Sequence, residues 1–151
     1  MSRRVAYVLA TWFGCGLVPI APGTAGTLGA VPLYLLLRPF GPAVVLSVAA
    51  VLAAIGIWAS KHVIATTRQK DPQIIVIDEV VGVLVTLAAS APAWTSVALG
   101  VVLFRIFDQW KPWPARSLES LHGGWGVVMD DVAAGVWGAA VLFVLREAGF
   151  P

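Results

Sequence analysis

The residues best suited to chemistry gather in one stretch, Phe104 to Asp131, which reads FRIFDQWKPWPARSLESLHGGWGVVMDD. It holds Asp108, Glu119, Asp130 and Asp131 together with Arg105, Lys111, Arg116 and His122. Oxygen donors without clustered Cys or paired His favour a hard divalent ion, and Mg²⁺ typically takes a carboxylate or two, several waters and a substrate phosphate. Such an ion neutralises phosphate charge and lowers the pKa of an attacking water. On a helix, Arg105, Asp108 and Lys111 fall at i, i+3 and i+6 and form one stripe. Phe104 and Phe107 beside that stripe are expected to dip into lipid. Pro112 and Pro114 stop the helix at Lys111, where the dipole favours a cation. A salt-bridged helix end would explain this pattern blandly. The sharper reading makes Asp108 a metal ligand between two phosphate-binding cations. His122-Gly123-Gly124-Trp125-Gly126 reads as a flexible loop with one titratable group. That group could donate to a phosphate oxygen or protonate a leaving group, although a lone histidine is more often structural. Met129-Asp130-Asp131 is expected to open the last helix. One aspartate suffices for a cap, which leaves the other for metal.

Two further islands carry candidates. Asp78-Glu79 lies between the apolar runs Ile74–Ile77 and Val80–Val85. Charge at the edge of a membrane segment is costly and points to function, with an N-cap pair as the structural alternative. Neighbours on a helix diverge by about 100°, so both carboxylates reach one point only where the helix begins. Asp71-Pro72 fits a helix start, Asp as N-cap and Pro at the first position. The β-branched block leaves a start at 72 or at 78 open. In Gly14 to Thr27, closely spaced Gly and Pro are expected to forbid a regular helix. Consecutive N–H groups there could cradle phosphate oxygens, or the segment could be a plain membrane-surface loop. No Lys follows these glycines, so the P-loop signature is absent.

These islands sit in a very apolar chain. Of 151 residues, 59% are hydrophobic and 12% charged, with mean hydropathy +0.88. An average soluble domain has roughly 45–50% and 25%. One soluble domain could not bury this much apolar surface, so lipid must cover part of it. A net charge of +2 spread over few charges does not suggest nucleic-acid binding and fits anionic lipid headgroups. Cys15 stands alone, which excludes an internal disulfide and a Cys-rich metal site. The start, Arg3-Arg4 before an apolar run, could pass for a signal peptide, and Phe13-Gly14-Cys15 is loosely similar to a lipoprotein cleavage box. Trp12 fits that box badly, so the N-terminus is read as part of the mature chain.

The expected architecture is all-α and polytopic: a short helix over 3–13, a hairpin over 28–60, a second hairpin from Val80 to Phe107, and a C-terminal helix from Val132 to Arg146. Residues 28–38 and 80–90 are short for spans. The turns at Gly41-Pro42 and Ala91-Pro92 fall on one side, and all three islands fall on the other with eight of the ten basic residues. The positive-inside rule then places the islands in the cytoplasm.

Taken together, PGTAGTLGA (Pro22–Ala30), IDEVVG (Ile77–Gly82), FRIFDQWKPWPARSLE (Phe104–Glu119) and HGGWGVVMDDVAAG (His122–Gly135) resemble the bacterial phosphatidylglycerophosphatase A family. The resemblance covers nearly the whole chain in order, and its last block is the most specific. It implies an inner-membrane enzyme that removes the terminal phosphate of phosphatidylglycerophosphate and needs Mg²⁺. It also implies functional acids at Asp78, Glu79, Asp108, Asp130 and Asp131, which are the candidate metal ligands. Gly23, Thr24, Arg105 and Lys111 become the phosphate-binding candidates. Residue chemistry makes Asp78, Asp108, Lys111 and His122 the candidates for catalysis, His122 as the acid for the glycerol leaving group. Other phosphatase chemistries lack their signatures: position 21 is Ala where a cysteine phosphatase loop needs Arg, and there is no Asp-x-Asp. The rivals are a small ion-coupled transporter using the acids as a relay and a non-catalytic membrane scaffold.

Overall fold

A computed structural model describes residues 3–150, and all regular structure among them is helical. The α-helices are α1 (Arg3–Ala10), α2 (Pro22–Leu37), α3 (Pro42–Thr67), α4 (Ile77–Leu87), α5 (Trp94–Trp110), α6 (Ala115–Leu118) and α7 (Gly124–Glu147). The centre is α4. It is apolar on all sides apart from Asp78, Glu79 and Thr86, and nine of its eleven residues are buried. A helix that is hydrophobic all round belongs inside. At 11 residues it is roughly 16 Å long, about half a bilayer core. The other helices pack around it: α7 most closely, then α3, α2 and α5, while α1 lies on α3. The arms α2 and α3 follow one another antiparallel but touch α4 far more than each other.

Small residues make the α4–α7 crossing possible. A Cβ on Gly82 would collide with the Phe104 ring and lie 2.7 Å from the Asp131 carbonyl oxygen. A Cβ on Gly138 would lie 2.7 Å from Thr86 Oγ1. The Thr86 hydroxyl donates to the Gly135 carbonyl at 3.0 Å, stitching the two backbones together. Such small-residue contacts bring helices close where lipid offers no hydrophobic drive.

Two helices are long and apolar enough to cross a bilayer, α3 with 26 residues and α7 with 24. Only 28% of the most apolar window of α3 is buried, so the protein leaves most of that surface uncovered. Trp94 and Trp110 are both exposed at opposite ends of α5, roughly 25 Å apart along its axis. That spacing suits two membrane interfaces. At one end of the molecule, the Tyr34 and Ser90 hydroxyls hydrogen-bond, so the turns that follow α2 and α4 lie together.

Four local expectations are corrected. The glycine-rich segment is irregular only as far as Ala21, and Pro22 to Thr27 is the first part of α2. Proline at the first helical position sacrifices no hydrogen bond, and the glycines serve close approach: a Cβ on Gly26 would lie 2.6 Å from Val76 Cβ. The last helix begins at Gly124, so Asp130 and Asp131 lie well inside α7 and neither caps it. The His-Gly-Gly loop is thereby shortened, because Gly124 packs directly on the α3 backbone at Ile57. Asp71 is not an N-cap, since α4 begins at Ile77. The Val76 N–H donates instead to the Ala10 carbonyl at 2.9 Å, which holds the β-branched approach out of a helix. Finally, Phe104 and Phe107 face the protein interior, not lipid, and Phe104 fills the space left by Gly82.

Candidate active site

All three islands meet in one cavity of about 500 Å³ at the end of the molecule opposite the Tyr34–Ser90 contact. Its wall includes Gly23 from α2, Asp78 and Glu79 from α4, Arg105 and Asp108 from α5, Lys111, and Asp130 and Asp131 from α7. The start of α4 at Ile77 puts Asp78 and Glu79 in its first turn, the one place where adjacent carboxylates can converge.

The five acids divide by partner. Asp108 Oδ2 lies 2.8 Å from Arg105 Nη1, an i, i+3 ion pair along α5. Asp130 Oδ2 accepts a hydrogen bond from Lys111 Nζ at 2.7 Å, and Glu119 Oε2 adds a second carboxylate 3.5 Å from the same nitrogen. Lys111 is held in place because it ends α5 in the left-handed conformation, φ 48°. Burial alone would disfavour its charge, but the Asp130 hydrogen bond and the carboxylates around it outweigh burial and raise its pKa above the ordinary lysine value. Lys111 is therefore a fixed cation at physiological pH.

Asp78, Glu79 and Asp131 form the other group. Each offers an oxygen within 4.8 Å of the others. Asp78 Oδ1, Glu79 Oε2 and Asp131 Oδ2 are shielded from water and accept no hydrogen bond. The closest cation to this group is Arg105, whose Nη1 is 4.0 Å from Glu79 Oε1. Two buried carboxylates and a half-buried third, each with an orphaned oxygen, are costly in isolation. A hard divalent ion with oxygen ligands removes that cost, so the donor set fits a cation of the magnesium class.

The remaining sequence candidates fall at the edges. Gly23 lies against the site: a Cβ there would collide with Glu79 Oε1 and lie 3.1 Å from Arg105 Nη1. Thr24 is exposed and faces outward onto a groove beside α5, outside the cavity wall. His122 is exposed at the rim; its neighbours Leu121 and Gly123 line the cavity but it does not. Lys70, Asp71, Gln73, Gln109 and Glu119 line the cavity although the sequence reading gave them no site role. Asp71 could have been found from its place beside the basic residues after α3, but its fit to a helix cap concealed it.

Comparison with known proteins identifies the family. The phosphatidylglycerophosphatase A family profile matches residues 8–146. The chain is 40% identical over 142 residues to the Escherichia coli protein named phosphatidylglycerophosphatase A, covering 92% of this chain and 82% of that one. It is 36% identical over 143 residues to the Haemophilus influenzae protein of the same name, covering 93% and 88%. A Bacteroides thetaiotaomicron protein with the provisional name phosphatidylinositol-3-phosphatase is 41% identical over 150 residues, covering 92% of each. No solved structure matches the chain. With its profile matched over all but the two ends, and two relatives of that name covered over most of their length, the chain belongs to the phosphatidylglycerophosphatase A family.

Proposed function

We propose that this chain is a magnesium-dependent phosphatase of the bacterial cytoplasmic membrane that hydrolyses phosphatidylglycerophosphate to phosphatidylglycerol and inorganic phosphate. One observation carries the reading: three orphaned carboxylates lie beside two firmly held cations in a single cavity. An ion held by Asp78, Glu79 and Asp131 would neutralise phosphate charge and make water a better nucleophile. Arg105 and Lys111 bind the phosphate oxygens, as permanent positive charges suited to a doubly charged ester. Asp108 and Asp130 hold those two cations in place. The Nη1 of Arg105 is 2.8 Å from Asp108 Oδ2 but is shielded and makes no aligned hydrogen bond, so its hydrogen-bonding capacity is not used up within the protein. Gly23 keeps the first turn of α2 against Glu79 and Arg105 without a side chain intruding. Hydrolysis joins a water oxygen to phosphorus as the bond to the lipid's glycerol oxygen breaks, and that oxygen leaves with a proton. His122 is the candidate donor, turning inward from the rim, since catalytic contacts often tighten only with substrate bound.

In this reading residues 1–151 form one domain, the α2–α3 and α4–α5 pairs and α7 are embedded in the bilayer, and the cavity opens to the cytoplasm. The basic residues on the cavity side support that orientation. A transporter relay is not favoured, because the acids collect at one end and pair with cations. The name of the Bacteroides relative makes the headgroup the point to test. Purified protein is offered phosphatidylglycerophosphate, phosphatidylinositol 3-phosphate and phosphatidate in mixed micelles. The reading expects kcat/KM for phosphatidylglycerophosphate to exceed the other two at least tenfold. Equal rates on all three would refute the substrate assignment.

A further inference from the structure

Arg105 and Gln109 each line two spaces, the polar cavity and a separate apolar groove on the outer face of α5. The groove has a volume of about 720 Å³, and Thr24, on the first turn of α2, is among the residues that line it. Its floor is Val102, Ile106 and Trp110, spaced i, i+4 and i+8, which places them in one stripe. These three are 53%, 50% and 67% exposed. The protein leaves this strip uncovered, yet the arginine of the site flanks it, between Val102 and Ile106 along α5. A second apolar groove lies between α3 and α7, floored by Val81 and Val85, but it shares no residue with the cavity.

Resting on the phosphatase reading, we propose that the lipid enters sideways between the start of α2 and the end of α5. One acyl chain of the glycerophospholipid lies along Val102, Ile106 and Trp110. The terminal phosphate passes Arg105 into the cavity. Thr24 and Gln109 meet the polar oxygens of the glycerol backbone at the boundary, one hydroxyl and one amide where the chain turns from apolar to polar surface. This accounts for Thr24, a motif residue that the cavity itself does not use. The continuity at Arg105 and Gln109 selects this groove over the one between α3 and α7.

The test compares Val102→Trp, which fills the α5 groove, with Ala50→Trp, which fills the α3–α7 groove. Each is assayed on long-chain phosphatidylglycerophosphate and on its deacylated, water-soluble counterpart. The ratio of kcat/KM for the lipid to that for the deacylated compound is expected to fall at least tenfold in Val102→Trp, through KM. It is expected to stay within twofold in Ala50→Trp. An unchanged ratio in Val102→Trp, or a fall in Ala50→Trp instead, overturns the proposal. A phospholipid with a mid-chain photoreactive diazirine gives an independent readout in the unaltered protein. It is expected to label residues 101–110, competed by unlabelled phospholipid. Labelling confined to residues 46–57 and 125–132 overturns the groove. If wild type releases phosphate from neither substrate, the phosphatase reading itself fails, and the labelling still decides where the chain lies.

Discussion

Asp78, Glu79 and Asp131 differ from Asp108 and Asp130 in what touches them, and that difference predicts two kinds of mutant. Asp131→Asn removes a negative charge and one of two carboxylate oxygens from the orphaned group. It is expected to weaken divalent-ion binding and to lower turnover on the order of 100-fold. Asp108→Asn loosens Arg105 and is also expected to lower turnover, but with ion affinity kept within about threefold. Calorimetric titration with Mg²⁺ separates the two, and equal ion affinities in both variants would contradict the division. Lys111 adds a pH test. Its folded pKa is raised above the unfolded value. The ammonium's own contribution to stability is therefore present below the ordinary lysine range and is lost as pH rises through the raised value, provided its partner Asp130 is ionised. Lys111→Met should then lower activity across the whole range from pH 6 to 9, because the ammonium it removes is charged throughout that range. It should also cost about 2 kcal/mol in denaturant unfolding, the buried-pair value discounted because the ammonium is a quarter exposed. The five acids and their cations were legible in the sequence from type and spacing. Their division was not, because Asp131 meets Asp78 and Glu79 only through the α4–α7 crossing.

At the level of elements, that crossing depends on Gly82 and Gly135. Gly82→Ala would drive a methyl into Phe104 and toward the Asp131 carbonyl. It is expected to destabilise the protein by about 1–3 kcal/mol and to reduce Mg²⁺ affinity, because Asp131 moves away from Asp78 and Glu79. Unchanged affinity with lost stability would show that the crossing supports the fold without setting the site. The same glycines explain what the sequence concealed. Spaced glycines and prolines read locally as loop, yet in α2 and at the start of α7 they lie in helices, where neighbouring backbones come too close for a side chain. Local propensity cannot distinguish a glycine that breaks a helix from one that lets two helices touch. The segment around Phe104 likewise points that ring to lipid, because nothing in it announces the gap that Gly82 leaves.

Across the whole molecule, the alternation of turns and islands was legible, since it needs only the order of apolar runs. The shortness of the 80–90 run was also visible, but its cause was not: α4 is short because it is the buried centre around which the longer helices stand. Orientation in the membrane is testable in a Cys15→Ser background. A cysteine at Ala91, on the turn side, should react with a membrane-impermeant maleimide in intact cells. A cysteine at Gln73, on the cavity side, should react only after permeabilisation, and the reverse pattern would invert the topology. The central claim is that the orphaned carboxylates hold an ion used in releasing phosphate from phosphatidylglycerophosphate. The most direct measurement is phosphate release by purified wild type and Asp131→Asn across a Mg²⁺ titration from chelator upward. The account predicts no release by wild type in chelator, restoration by Mg²⁺, and a requirement at least tenfold higher in Asp131→Asn. Release that persists in chelator, or an identical Mg²⁺ dependence in the two proteins, would contradict it.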